Sequence, residues 1–232
     1  MKLTKITFTG LDSNTNPIRF AKLTRENSFI EWGILFSKSK QGIDSRYPSE
    51  STIEQIKNFL GSAKVEHNLS AHLCGQYIRN LLNNEFAILD NKLLNGFKRV
   101  QLNIANESIK DSIKFAQRLA KFKRYEFILQ VKDFNDSLIQ ICQTEKVRFA
   151  PLLDCSGGTG KTLKEIPNSK YDWAGYAGGI TSENILSIVR KIEKTNSGNY
   201  WIDTESGIRT NNWLDLDKCE NIIEQIIIQR RK

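Results

Sequence analysis

WAGYAGGITSENILSIVRKIE, residues 173–193, followed by YWIDT at 200–204, decides how this chain is read. Trp173–Gly178 is a short β-like run that ends on glycines. Ser182, Glu183 and Asn184 then form a polar first turn of a helical stretch, Ser182–Glu193, and Tyr200–Thr204 opens a second apolar run. Strand, turn, helix, strand is the signature of a parallel sheet with helical crossovers.

The same unit recurs in both directions. Leu3–Thr9 precedes Asn16–Asn27, Trp32–Ser37 precedes a helix from Ser51, and Asn68–Cys74 precedes Gln76–Leu82. Arg99–Asn103 precedes SIKDSIKFAQRLAKF from Ser108, whose Ile109, Ile113, Ala116 and Ala120 recur at helical spacing. Phe127–Lys132 precedes Asp136–Gln143, Phe149–Asp154 precedes a glycine-rich loop, and Tyr200–Thr204 precedes Leu216–Gln229. Eight such units in 232 residues predict one (β/α)8 barrel spanning residues 1–232 as a single domain. An open doubly wound sheet would more often carry a glycine-rich first turn, and Gly10-Leu11-Asp12 is not GxGxxG.

Composition narrows the function. A net charge of +8 admits nucleic acid, an acidic partner or a phosphorylated small molecule. The basic stretches Lys121–Glu126 and Gln229–Lys232 lack interleaved aromatics, so they read as solvated ends rather than a nucleic-acid surface. No apolar run reaches membrane length, and the N-terminus turns polar too early for a secretory leader, which predicts a cytoplasmic protein. The four Cys lack CxxC spacing and have two His for company, so neither a metal nor another cofactor is expected.

Barrel chemistry sits at the C-terminal strand ends. There the sequence offers Asp12 after strand one, His72 and Cys74 after strand three, Gln101 on strand four, Lys132 after strand five, Asp154 after strand six and Asp203 after strand eight. GGTGKT, 157–162, is not a phosphate loop of the NTPase kind, because that spacing wants Gly where Cys155 stands. Gly178 and Gly179, with Ser206 and Gly207, form loops on adjacent strands whose backbone N–H groups can approach an anion. A phosphorylated small molecule is the expected substrate.

LLDCSGGTGKT (152–162), AGGITSENI (177–185) and YWIDTESGI (200–208) resemble, in this order, the signatures of phosphoribosylanthranilate isomerase. Val100-Gln101-Leu102 resembles the family's fourth strand, with Asn103 where the family has His, and Trp32–Lys40 resembles its second strand and loop. The resemblance implies conversion of an aminoaldose phosphate into an aminoketose phosphate: an acid protonates the ring oxygen and a base removes the C2 proton. It implies Asp154 as the acid and Asp203 as a substrate-site carboxylate. The arginine for the substrate carboxylate falls on Gln41 without a gap or on Arg46 with one, and bidentate binding favours Arg46.

The departure is at the base, where Thr9 holds the position of the family's Cys. A Thr hydroxyl is far too weak a base near neutrality. Asp12 is the first substitute, with Cys74 and His72 behind it, since strand alternation puts those two on one side. An inward Lys132 would instead suit a Schiff-base lyase on another sugar phosphate. A barrel that binds a phosphometabolite without turnover is the remaining alternative. His67 reads as solvated. The oligomeric state is not legible.

Overall fold

The computed structural model describes residues 2–62, 68–104, 109–154, 166–167, 169–195 and 198–230. Eight parallel strands close in sequential order: β1 (Lys2–Thr9), β2 (Ile30–Phe36), β3 (Leu69–Leu73), β4 (Arg99–Leu102), β5 (Glu126–Val131), β6 (Phe149–Leu153), β7 (Trp173–Ala177) and β8 (Asn199–Thr204). Closure is made by β1 against β8, with Thr7 beside Asp203 and Phe8 beside Thr204.

Helices α1 (Pro17–Glu26), α2 (Glu50–Ser62), α3 (Gln76–Leu82), α4 (Ser112–Leu119), α5 (Ser137–Thr144), α6 (Ile185–Thr195) and α7 (Leu216–Arg230) lie on the chain between and after the strands. Their starts are chemically marked. The Asn16 side chain accepts from the Ile18 and Arg19 amides ahead of a Pro at the first helical position, and Asp111 and Asp136 cap α4 and α5. The glycine-rich loop from Cys155 to Lys161 and His67 lie outside the described residues. No helix among the described residues is long and apolar enough to cross a membrane.

One helix reads differently from its sequence pattern. In α4 the buried residues are Phe115, Ala116 and Leu119, while Ile113 is 54% exposed. The larger Phe115 wins the inward face, and Asp111 sets the helix start, which rotates Ile113 outward.

Alternation along the strands makes two cores. Outward residues such as Ile6, Phe8, Trp32, Ile34, Val100 and Ile202 pack beneath the helices. The barrel interior is divided. Ile128, Ala150, Leu152 and Trp201 form an apolar cluster on one side. Toward the N-terminal end of the strands the interior is charged. Arg99 reaches across to donate to Glu31 at 2.8 Å and Glu126 at 2.8 Å, with its guanidinium 4.2 Å from the Trp201 ring. Glu31 also accepts from Thr7 at 2.9 Å and Lys5 at 3.1 Å. Burial pushes its carboxyl up, but the Arg99 guanidinium and the Lys5 ammonium outweigh it, with help from the Thr7 hydroxyl, and hold it below the usual range.

Candidate active site at the C-terminal mouth

Each inward floor residue is followed two positions later by a mouth residue, because strand side chains repeat with period two. Thr7 leads to Thr9, Ser70 to His72, Arg99 to Gln101, Ile128 to Gln130, Leu152 to Asp154 and Trp201 to Asp203. Those six mouth residues line one cleft. Asn103, Leu152, Ala177, Gly178, Gly179, Ile180, Thr204, Glu205 and Ser206 complete its wall, and Arg46 reaches in from the loop after β2.

Three carboxyls line this cleft, Asp154, Asp203 and Glu205, and each has its own partner. Asp203 is buried, and its Oδ1 accepts from the Thr9 hydroxyl at 2.7 Å. Burial pushes its carboxyl up to about 8; the Thr9 hydrogen bond opposes this, and the negative charges of Glu205, Glu31 and Asp154 add to it. Asp154 Oδ2 accepts from Gln130 Nε2 at 2.7 Å.

His72 Nδ1 stands 4.0 Å from Asp203 Oδ2, and its Nε2 pairs with Ser70 Oγ at 3.0 Å. Burial takes the imidazole down to about 4, with Glu31 opposing and Arg99 adding, so the ring is neutral at neutral pH. At that distance, with a neutral ring, the two make a polar contact rather than an ion pair. Gly33 makes room for them: a Cβ there would sit 2.6 Å from Thr9 Oγ1 and 2.9 Å from His72 Nε2.

The opposite wall is an amide pair. Gln101 Nε2 donates to Asn103 Oδ1 at 2.8 Å, and Asn103 Nδ2 donates to Cys74 Sγ at 3.0 Å. Gln101 Oε1 is buried without a partner among the described residues, an acceptor facing the cleft.

The loops after β7 and β8 supply small residues. Gly178 and Gly179 adopt φ of +112° and +57°, a backbone that L side chains rarely take. Asn184 ties this turn to the start of α6, donating to the Gly179 carbonyl at 2.8 Å and accepting from the Thr181 amide at 2.9 Å. Thr204 Oγ1 donates to the Ile180 carbonyl at 2.7 Å, joining the two loops. Ser206 faces the cleft, whereas Gly207 lies behind it, where a Cβ would meet the Ile180 carbonyl oxygen at 2.0 Å.

Arg46 is half-exposed, ion-paired to Glu205 at 3.2 Å and bonded through Nε to Asn212 Oδ1 at 2.7 Å. Asn212 belongs to a hairpin of two short strands, β9 (Arg209–Thr210) and β10 (Trp213–Leu214), and it also accepts from Ser45 through its carbonyl at 3.1 Å.

Three sequence candidates lie elsewhere. Asp12 does not line the cleft. Its Oδ2 accepts from Arg209 Nη2 at 3.0 Å and the Leu214 amide at 2.7 Å, and its Oδ1 from the Asn14 amide and the Thr15 hydroxyl, both at 3.1 Å. It belongs to a loop, where strand parity no longer sets direction, and Arg209 captures it. Cys74 follows the end of β3 and also lies outside the cleft wall; burial and Glu205 push its thiol up to about 12, against the opposing effects of Asn103 and Tyr47. Lys132 is exposed, one residue past the end of β5.

The inward member of ILQVKD is Gln130, two residues earlier, which strand parity from Ile128 could have found. Glu205 was missed beside Asp203, and Asn212 carried no local signal at all.

No curated protein matches this chain. A solved structure of monomers generated from the dimeric phosphoribosylanthranilate isomerase of Thermotoga maritima aligns over 96% of this chain and 97% of that one, with a TM-score of 0.56 at 15% identity. A cube-shaped, highly porous protein cage designed by fusing symmetric oligomeric domains aligns over 100% of this chain and 77% of that one, with a TM-score of 0.50 at 11% identity. At such identities the likeness speaks for the barrel alone. The family model for N-(5'-phosphoribosyl)anthranilate (PRA) isomerase matches residues 98–225, from just before β4 into α7. That stretch is more than half of the 232 residues and carries Asp154, Asp203 and the glycine loops, and the chain belongs to the N-(5'-phosphoribosyl)anthranilate isomerase family.

Proposed function

We propose that this chain isomerises a phosphorylated aminoaldose to the corresponding aminoketose, with phosphoribosylanthranilate as the first substrate to test. The observation that carries the reading is the pair of carboxyls, Asp154 and Asp203, in a single cleft edged by Gly178, Gly179 and Ser206. Acid/base isomerisation needs two proton-transfer groups held in different environments, and these two, both buried, have different partners, an amide from Gln130 on Asp154 and the Thr9 hydroxyl on Asp203.

In this reading the backbone N–H groups of the two glycine loops hold the phosphate, with Gly207 letting them pack closely. Arg46, kept in its pair with Glu205 and its bond to Asn212, turns the rest of its guanidinium to the substrate carboxylate. Asp154, oriented by Gln130, gives its proton to the ring oxygen as the C1–O bond breaks and the nitrogen lone pair forms C1=N. Gln101 offers its unpartnered oxygen to a substrate donor.

Turnover is measured by the spectral change on converting the aryl aminoaldose, and Asp154→Asn is expected to lower kcat by about 10²–10⁴. Absence of turnover by the unsubstituted chain refutes the reading. Thr9 favours a second reading, in which a paralogue acts on another sugar phosphate or binds one without chemistry. The Schiff-base form of that alternative has little support, because Lys132 is exposed and outside the cleft wall.

A further inference from the structure

We infer that Asp203 is the general base that removes the C2 proton in this chain, with the Thr9 hydroxyl as the group that positions it. The inference rests on the isomerase reading and supplies the residue that reading lacks.

Among the described residues of the cleft, the other proton-transfer groups are engaged elsewhere. Asp154 is occupied with the ring oxygen. Glu205 is paired with Arg46 at 3.2 Å and lies beyond the end of β8. His72 is engaged with Ser70 through Nε2, and its burial leaves it a weak base. Asp12 and Cys74 do not line the cleft. Asp203 remains.

Its geometry suits the task. Thr9 Oγ1 donates to Oδ1 at 2.7 Å, which fixes the carboxyl and leaves Oδ2, 4.0 Å from His72 Nδ1, without a close hydrogen bond among the described residues. Gly33 is what allows Thr9 and His72 to crowd so near this carboxyl. A buried carboxylate is far more basic than a solvated one, which matches it to abstraction of a weakly acidic C–H.

The step balances without any co-reactant. Asp203 takes the C2 proton, the C–H electron pair becomes the C1=C2 bond, and the C1=N pair returns to nitrogen as an enolamine. The protonated Asp203 then returns a proton to C1 as the C2 hydroxyl gives its own to Asp154, leaving the C2 ketone.

The groups facing Asp203 that set its titration are Thr9 from β1, Glu31 from β2, His72 from β3, Asp154 after β6 and Glu205 on its own strand's loop. The experiment is a pH profile of kcat/KM with phosphoribosylanthranilate for the unsubstituted chain, Thr9→Val and Asp203→Asn. The expected profile rises with pH through about 8 in the unsubstituted chain. Thr9→Val moves that rise to higher pH, because the hydroxyl no longer stabilises the carboxylate. Asp203→Asn lowers kcat by about 10²–10⁴. A profile that falls through this range overturns the inference and needs no variant to fold. So does Asp203→Asn turning over within about threefold of the parent, given that removing a general base costs far more. No turnover by the unsubstituted chain instead removes the isomerase reading itself.

Discussion

Replacing Asp12 with Asn is expected to cost stability and spare turnover. The Asp12 carboxylate is buried and satisfies four donors: the Arg209 guanidinium, the Leu214 and Asn14 amides and the Thr15 hydroxyl. Asn keeps the shape but removes the charge and turns an NH₂ group toward one set of these donors. Arg209, itself buried, is left as a cation without its counter-charge. Breaking one side of a buried pair costs about 3–5 kcal/mol. At roughly 2–4 °C per kcal/mol for a chain of this size, Tm falls by about 6–20 °C.

Thermal unfolding by circular dichroism measures the fall, and urea unfolding gives the free energy independently. A double-mutant cycle with Arg209→Met is expected to return a coupling above about 1 kcal/mol, since the residues touch. Below the lowered Tm, kcat stays within about threefold of the parent, far from the 10²-fold or greater loss that follows removal of a general base. The reasoning is refuted if kcat collapses while Tm stays within about 2 °C, a shift equivalent to less than about 1 kcal/mol. Asp12 would then be acting in the chemistry from outside the cleft.

Two further outcomes concern stability. The Asp203 carboxyl is held at about 8 when folded, against about 4 in an unfolded chain. Between these values the folded state keeps a proton the unfolded state has released, so this group's contribution is present at low pH and lost as pH rises toward 8, by up to about 1.4 kcal/mol per pH unit. Asp203→Asn should therefore gain stability over the parent as pH goes from 5 to 8, and a difference in Tm that does not grow would contradict the assigned burial effect. Gly207→Ala forces a Cβ against the Ile180 carbonyl oxygen and is expected to destabilise by about 1–3 kcal/mol, read by urea unfolding. An unchanged midpoint would mean the β7 and β8 loops are not locked together as described.

The barrel was legible because its signals are local. Strand parity runs through Trp201, Asp203 and through Leu152, Asp154 without interruption, and several helix starts carry a polar cap, Asn16, Asp111 and Asp136 among them. What the sequence hid depends on partners far along the chain. Thr9 and Asp203 are 194 residues apart, and Asp12 and Arg209 are 197 apart, so nothing near Asp12 announces that it is already taken. Parity is also unreliable once a strand ends: Asp154, one residue past β6, keeps its line, whereas Cys74 and Lys132, placed alike after β3 and β5, leave theirs. In α4 the helical period is present, but the bulkier Phe115 rather than Ile113 determines the buried face.

The charged floor of the barrel has a consequence for how the sheet finds its alignment. Arg99 is held by Glu31 two strands away, by Glu126 on the next strand and by the Trp201 face from across the barrel. A slip of β4 by one residue would turn this guanidinium out into the apolar layer beneath the helices and bring Val100 into its place. Uniform aliphatic layers tolerate such a slip far better, because one branched side chain replaces another. The floor therefore acts as a keyed joint: the strands that carry Glu31, Arg99, Glu126 and Trp201 fit together in a single alignment, and a misaligned ring is left with a stranded cation. In exchange the mouth residues two positions further on, Gln101 and Asp203 among them, are delivered to the same height in every folded molecule.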